Sequence, residues 1–391
     1  MPRKPIAVIA ADTHLAPRIW ARRPDINGDA YFGFSQAVDV CVKYQLPLIL
    51  PGDVFDKMRP DPYTIWFTKT QLERLSSVGL PMWFIQGQHE LDRQMPWLLS
   101  ISQNVHSFHW VHKKNFRING IEFFGLDWTP ADIVQDELAC IPHGTDVLIA
   151  HQVWGGFMGN YNKHECQFSD VPHVALIVTG DYHRLVFMPT TNNNNAPCRV
   201  LSPGPLCMQS IDEDPNKFVH LLYDDLTIDH VPIKTRNVYR IALRTVEDLN
   251  DVLVSTDFGE ALQAQADVPP DIAKNLIHIT YKDDIPEAYG RIVSAVGNRA
   301  HLFIVANKSK AMDMTIAPEY RDLLTTDVET SLALVVNKES RTYSDILTLL
   351  RSQDTANTLK ELRDNFVNNL KAKTNEESGK TVKRQVLCAV G

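Results

Sequence analysis

Five short clusters rich in aspartate and histidine follow one another through the first 183 residues. They are Asp12-Thr13-His14, Gly52-Asp53-Val54-Phe55-Asp56, Gly87-Gln88-His89-Glu90, His151 alone, and Gly180-Asp181-Tyr182-His183. Carboxylate, amide and imidazole donors, with no cysteine among them, are what hard divalent cations prefer. A pair of such cations suits phosphoester hydrolysis, because it lowers the pKa of a bound water and neutralises charge on the phosphoryl oxygens. A single Asp-x-His or Gly-Asp is most often a turn or a helix start. Taken in this order, the clusters read as one two-metal site.

Each cluster comes just after a short apolar run: Ile6 to Ala11, Leu48 to Pro51, Met82 to Ile85, Val147 to Ala150 and Ala175 to Val178. Runs of this length read as buried strands. Between the first two, Phe32 to Tyr44 is predicted as a helix with Phe34, Ala37, Val38 and Cys41 on one face; Tyr63 to Ser76 is predicted as another. That alternation is what parallel strands need. Ligands gather beyond the carboxyl ends of strands in open α/β sheets, so the clusters are expected to converge on one crevice. Further strands are expected at Asn115 to Ile118, Ile121 to Gly125, Arg184 to Pro189, Cys198 to Ser202 and Phe218 to Tyr223.

The motif order resembles that of the calcineurin-like metallophosphoesterases: Asp-x-His, Gly-Asp-x-x-Asp, Gly-Asn-His-Asp/Glu, His, Gly-His-x-His. Within that superfamily the chain is most similar to the SbcD-type nuclease subunit of DNA double-strand-break repair complexes. The segments Asp12 to Ala16, Pro51 to Pro62 and Leu201 to Lys217 carry the likeness, which covers roughly the first 230 residues. The resemblance implies an α/β fold, an α+β sandwich of two sheets flanked by helices, followed by a smaller α+β capping domain and a helical C-terminal tail. It implies that Asp12, His14 and His183 hold one metal, that Asp53 bridges, and that Gln88, His151 and Asp181 complete a second. His89 is then the catalytic residue facing the substrate, oriented by Asp56, since a carboxylate fixes the tautomer of an imidazole and raises its basicity.

Two positions depart from the family pattern. Gln88 stands where asparagine is usual and Asp181 where histidine is usual. Glutamine keeps the amide oxygen but adds a methylene; aspartate brings an anion in place of a neutral donor. The extra negative charge favours Mn²⁺, or Mg²⁺, over softer ions. His106, His109 and His112 also recur at intervals of three, but outside the motif order, and His143, His164 and His173 have no spacing that marks them as ligands.

The formal net charge is −8, so the chain is no uniformly basic nucleic-acid binder. Basic residues nevertheless follow the motifs: Arg18, Arg22 and Arg23, then Lys57 and Arg59, then Arg93, then Arg184. Leaving the same sheet edge as the metals, they are expected to rim the cleft and contact a phosphate backbone. The six cysteines are scattered without a Cys-x-x-Cys pair, which fits a reducing compartment. The expected location is the cytoplasm, and the resemblance implies a place near the nucleoid, or in host cytoplasm for a viral source. No apolar stretch reaches transmembrane length.

With 391 residues there is room for two domains and an accessory segment. A catalytic domain is expected over 1–232 and a capping domain over 238–335, with strands Val238 to Leu243, Asn275 to Tyr281 and Ala300 to Ala306 around helices Val246 to Val254 and Ile285 to Val296. A tail over 340–391 carries Leu359, Leu362, Phe366 and Leu370 on one helical face. By resemblance this is where an SMC-like coiled-coil ATPase subunit would be gripped, in a homodimeric assembly. Ser378-Gly379-Lys380-Thr381 has the look of a phosphate-binding loop, but Thr374 replaces the leading glycine and no buried strand precedes it. The leading expectation is a metal-dependent DNA nuclease, exonuclease on duplex ends and endonuclease on single strands. The alternatives are a phosphodiesterase or phosphatase on a smaller substrate, and a non-catalytic scaffold with a degraded second metal site.

Overall fold

A computed structural model describes residues 2–20, 23–92, 94–102, 107–158, 164–282, 285 and 287–307. Fifteen strands appear among them: β1 (Pro5–Ile9), β2 (Leu48–Pro51), β3 (Met82–Ile85), β4 (Phe108–Trp110), β5 (Asn115–Ile118), β6 (Ile121–Leu126), β7 (Val147–His151), β8 (Leu176–Gly180), β9 (Val186–Thr191), β10 (Pro197–Ser202), β11 (Lys217–Tyr223), β12 (Ile228–Ile233), β13 (Val238–Leu243), β14 (Leu276–Lys282) and β15 (His301–Asn307). The helices are α1 (Asp29–Tyr44), α2 (Pro62–Ser77), α3 (Trp97–Ile101), α4 (Val134–Ala139), α5 (Gly155–Met158), α6 (Val246–Val254), α7 (Thr256–Ala261) and α8 (Ala288–Val296).

Two six-stranded mixed sheets make an α/β sandwich. One runs β12-β11-β1-β2-β3-β4, the other β5-β6-β7-β8-β10-β9. From β1 to β4 every pairing is parallel, and β11 and β12 close that sheet antiparallel. In the second sheet β6, β7, β8 and β10 are parallel, with β5 and β9 antiparallel at the edges. The apolar strand runs follow from burial on both faces. Ile6, Ile9, Ile49 and Ile85 point at Phe123, Ile149, Val178 and Leu201 across the sandwich. The alternating residues Val8, Leu48, Leu50 and Phe84 meet Phe34, Val38 and Cys41 of α1 and Leu72 and Leu75 of α2. Leu148, Ile177 and Val200 cover the other outer face with Leu138, Trp154 and Phe168. A side-chain period of two explains why neither face of these strands can be polar.

Helix α2 starts one residue before the expected Tyr63, with Pro62 in its first turn and Asp61 as its cap, accepting from the N–H groups of Tyr63 and Thr64. Helix α1 starts three residues earlier than expected, because Asp29 in its first turn is held by Arg236. The short strand β4 and the edge strand β12, with its Pro232, were not expected; an edge is where a strand tolerates proline. After β12 the chain builds a third, all-parallel sheet, β13-β14-β15, with Leu249 of α6, Phe258 of α7 and Ile292 of α8 packed with Ile277 and Ile279 of β14. The amphipathic stretch from Leu359 to Leu370 and the Ser378 to Thr381 segment lie outside the described residues.

Candidate metal centre

The five motif clusters meet between the carboxyl ends of both sheets, not along one. Asp12 and His14 follow β1, Asp53 follows β2 and Gln88 and His89 follow β3, all in the first sheet; His151 ends β7 and Asp181 and His183 follow β8 in the second. Three overlapping sets of donor atoms lie within 4.8 Å of one another: Asp12, His14 and His183; His14, Asp53 and His89; Asp12, Asp53 and His151. Asp12, His14, Asp53 and His151 are buried, whereas His89 is exposed.

Backbone strain accompanies the convergence. Asp12, His14, Asp53 and Asp181 all have left-handed φ, at 48°, 42°, 47° and 78°. Such conformations cost free energy for residues with a Cβ and persist where surroundings over-determine them. Gly52, at φ 92°, and Gly87 let the turns close: a Cβ at Gly52 would overlap the His151 ring, and one at Gly87 would overlap the Asp53 carboxylate.

The polar partners leave one face of each ligand candidate open. Asp12 Oδ1 accepts from the Asp181 N–H at 2.9 Å, and Asp53 Oδ1 from the His89 N–H at 3.1 Å. His151 Nδ1 donates to the Pro51 carbonyl at 2.8 Å, so its Nε2 carries the lone pair in the neutral ring. Asp12 Oδ2, Asp53 Oδ2, His151 Nε2 and Gln88 Oε1 are buried without a hydrogen-bond partner. Buried polar atoms are nearly always paired, so a group of orphans in one spot fits a cation. His14 Nε2 and His183 Nε2 face each other at 3.1 Å in the same place.

The electrostatics point the same way. Burial opposes ionisation of Asp12 and raises its pKa, against the pull of His151, His183 and His14. Burial opposes charge on Asp53 too, but His151 and His14 outweigh it and hold that carboxyl well below the usual range. Burial likewise disfavours charged His151, yet Asp53, Asp12 and Asp181 push it up to about 10. His14 is raised for the same reason: Asp56, Asp53 and Asp12 outweigh its burial. Carboxylates that stabilise an imidazolium this strongly make a field that also attracts a metal ion.

Two of the expected site residues, Asp56 and Asp181, make contacts that the sequence did not foretell. The Asp56 carboxylate, expected to orient His89, lies 3.6 Å from His14 Nδ1; the Asp56 main-chain carbonyl takes the His89 Nδ1–H at 3.0 Å instead. Asp56 thus meets two neighbouring imidazoles, His14 with its side chain and His89 with its backbone. Asp181 is in none of the three donor sets; its carboxylate accepts from Gln88 Nε2 at 2.6 Å. The longer glutamine side chain brings its amide within reach of that carboxylate.

Of the basic residues, Arg18, Lys57 and Arg59 line one depression of about 430 Å³ with Leu15, Ala16, Pro17, Pro60 and Asp61. Arg184 lines another, of about 580 Å³, beside His183 and facing Asp212, Glu213, Asp214 and Lys217. Arg23, expected at the rim, pairs with Asp25, donates to the Leu302 carbonyl and sits over the Phe303 ring, contacts that engage three of its five N–H groups. Arg22, Arg93 and His106 lie outside the described residues. His109 packs beside Trp83, His112 Nδ1 accepts from the Asp127 N–H, His143 stacks on His173 and His164 bonds Gln167.

Sequence reasoning missed Glu90. Fully buried, it accepts the N–H groups of Val54 and Phe55 at 3.1 and 2.8 Å and so pins the turn that carries Asp53. Burial, then the neighbouring Asp53, pushes its carboxyl up to about 8. The signal was its place directly after His89 in the third cluster.

No family model matches the chain. A stretch of 151 residues is 29% identical to the DNA double-strand break repair protein Mre11 of Saccharolobus solfataricus, taking in 36% of this chain and 39% of that protein. A second, of 155 residues, is 24% identical to the protein of the same name from Haloferax volcanii, over 37% and 35%. The chain thus matches well under half the length of these curated relatives. A solved crystal structure aligns with 58% of this chain and 98% of its own at a TM-score of 0.37 and 10% identity, a likeness too low to carry weight.

Proposed function

From its kinship with the metallophosphoesterase nucleases of the Mre11 and SbcD kind, we propose that this chain is a metal-dependent DNA nuclease acting in double-strand-break repair. The observation that carries the reading is the group of buried, unpartnered donor atoms from Asp12, Asp53, Gln88 and His151, gathered with His14 and His183 between the two sheets. The donor set fits two divalent cations, Mn²⁺ foremost and Mg²⁺ next, with Asp12, His14 and His183 on one side, Asp53 shared, and His151 and Gln88 on the other. Bound there, the cations would make a water nucleophilic near neutral pH and offset charge on the phosphoryl oxygens.

The protein's own groups do the rest. His89 is exposed at the mouth of the site with its Nδ1–H fixed by the Asp56 carbonyl; in its imidazolium form it can hand the Nε2 proton to the leaving oxygen. The His89 N–H holds Asp53 in place. Arg18, Lys57 and Arg59 offer three positive charges to a phosphate backbone. The unit that begins at Val238 serves as the cap that selects DNA shape; in support, Arg240 donates to the carbonyls of Ile211 and Glu213, holding the loop that walls the groove beside His183. Exonuclease action on duplex ends, endonuclease action on single strands, homodimerisation and a coiled-coil ATPase partner belong to the same proposal.

Purified protein with Mn²⁺ is expected to degrade linear duplex and single-stranded DNA. Asp53→Asn and His89→Ala should each abolish cleavage while thermal unfolding stays cooperative. Wild-type protein inert on every DNA form, with and without its ATPase partner, would end this reading.

A further inference from the structure

Gln88 and Asp181, the two positions that depart from the resembled pattern, touch each other. Gln88 Nε2 donates to Asp181 Oδ1 at 2.6 Å, although 93 residues separate them. A carboxylate can only accept, so it forces the amide nitrogen towards itself and turns Oε1 the other way. That Oε1 is buried and has no partner. A free amide can rotate by half a turn and present its NH₂ in place of its oxygen; this one cannot without losing a charge-assisted bond.

Asp181 is itself held. Its N–H donates to Asp12 Oδ1 at 2.9 Å, and its φ of 78° aims the side chain away from an ordinary strand direction. Six other residues form three overlapping sets of three, the donor atoms of each set lying within 4.8 Å, and Asp181 is in none of them. One oxygen of its carboxylate takes the Gln88 amide instead.

We propose that Asp181 is a positioning residue and not a ligand: it locks the Gln88 amide so that Oε1, the donor, faces the metal centre. The inference rests on the metal-centre reading above and concerns how this chain keeps a longer amide in place. Where the resembled pattern has an imidazole ligand, position 181 would here steer the ligand at 88.

The test is Mn²⁺ binding alone, measured by calorimetry and elemental analysis on the full-length protein without DNA. Asp181→Gly removes the carboxylate at a φ that glycine accepts freely, and Asp181→Asn keeps an acceptor oxygen on a residue that also tolerates this conformation. Asp181→Gly is expected to weaken the second Mn²⁺ by about 10- to 100-fold, the usual effect of losing an outer-shell partner, and Gln88→Met, which removes the donor that Asp181 positions, at least as much. Acting through one another, they should weaken it no further when combined. Asp181→Asn should bind within about threefold of wild type, because the amide lock survives the loss of charge. Additive losses in the double variant, or a loss in Asp181→Asn as large as in Gln88→Met, would overturn the proposal and leave the metal centre standing. Wild-type protein that takes up no Mn²⁺ would overturn the metal centre itself, and this inference with it. If Asp181→Gly does not fold, the comparison of Asp181→Asn with Gln88→Met still decides.

Discussion

Asp53 shows how tightly the centre is specified. Its φ is 47°, one carboxylate oxygen takes the His89 N–H, and the other lies 3.3 Å from His151 Nε2, close enough to attract but off the line a hydrogen bond needs. Across the cleft Gly87 has no room for even one more carbon. Gly87→Ala is therefore expected to push the Asp53 carboxylate aside. An ångström of displacement at a reacting centre costs on the order of 100-fold in rate, so cleavage should fall by at least that much. Mn²⁺ uptake should fall with it while the circular dichroism spectrum is unchanged. Unaltered metal binding would mean that the turn yields without moving Asp53.

At the scale of elements, the site is made by turns held to one another across strands. Glu90, after β3, pins the turn after β2 through two buried N–H groups. Glu90→Leu keeps the volume but leaves both unpaired, and each buried orphan costs about 1–3 kcal/mol. A loss of about 3 kcal/mol in urea unfolding is expected, with weaker Mn²⁺ binding; no change would show that water replaces the carboxylate. The same turns set the basic depression, since Arg18 follows β1 and Lys57 and Arg59 follow β2. Replacing all three with alanine should weaken DNA binding and flatten its dependence on salt by about 2 to 3 units of log–log slope. Binding isotherms at several salt concentrations measure this, and an unchanged slope would move the DNA path elsewhere.

Across the whole molecule, buried polar contacts join the sheets, and a buried histidine of the first sheet carries a pH dependence. Arg236, between β12 and β13, is buried against Asp29 of α1 and donates to the carbonyls of Asn27, Asp271 and Lys274. In the first sheet His220 of β11 is fully buried; its Nε2 donates to the Pro203 carbonyl and its Nδ1 accepts from His230. Burial, then His230, lowers its pKa to about 3. The unfolded chain, with an ordinary histidine near 6.5, binds a proton that the folded chain refuses between about 6.5 and 3. The folded state is therefore undiminished above about pH 6.5 and loses stability as pH falls towards 3, by on the order of 4 kcal/mol at most from this residue. His220→Gln, able to donate and accept in the same place, should flatten urea midpoints measured from pH 7 to pH 4; an equal slope in both proteins would assign the effect to other groups.

Much of this was legible in the residue order. The apolar runs at Leu48–Pro51 and Met82–Ile85 became strands with the expected ends, because burial on both faces leaves no polar position to blur them. Strand Asn115–Ile118 and helix Val246–Val254 also kept their expected bounds. Asp12, His14, Asp53, His151 and His183, expected as ligands, and His89, expected to face the substrate, fall in the three sets, and each could be singled out because it ends or follows a strand, a local property of the chain. What lay beyond the sequence were relations between residues far apart in it: that the clusters face each other across two sheets, that Asp56 turns its carboxylate to His14 and its carbonyl to His89, that Arg23 sits over Phe303, and that Asp181 grips Gln88. Spacing along a chain encodes which residues share an element and a face. The direction in which a side chain meets another element depends on how the sheets pack, and only the folded molecule decides that.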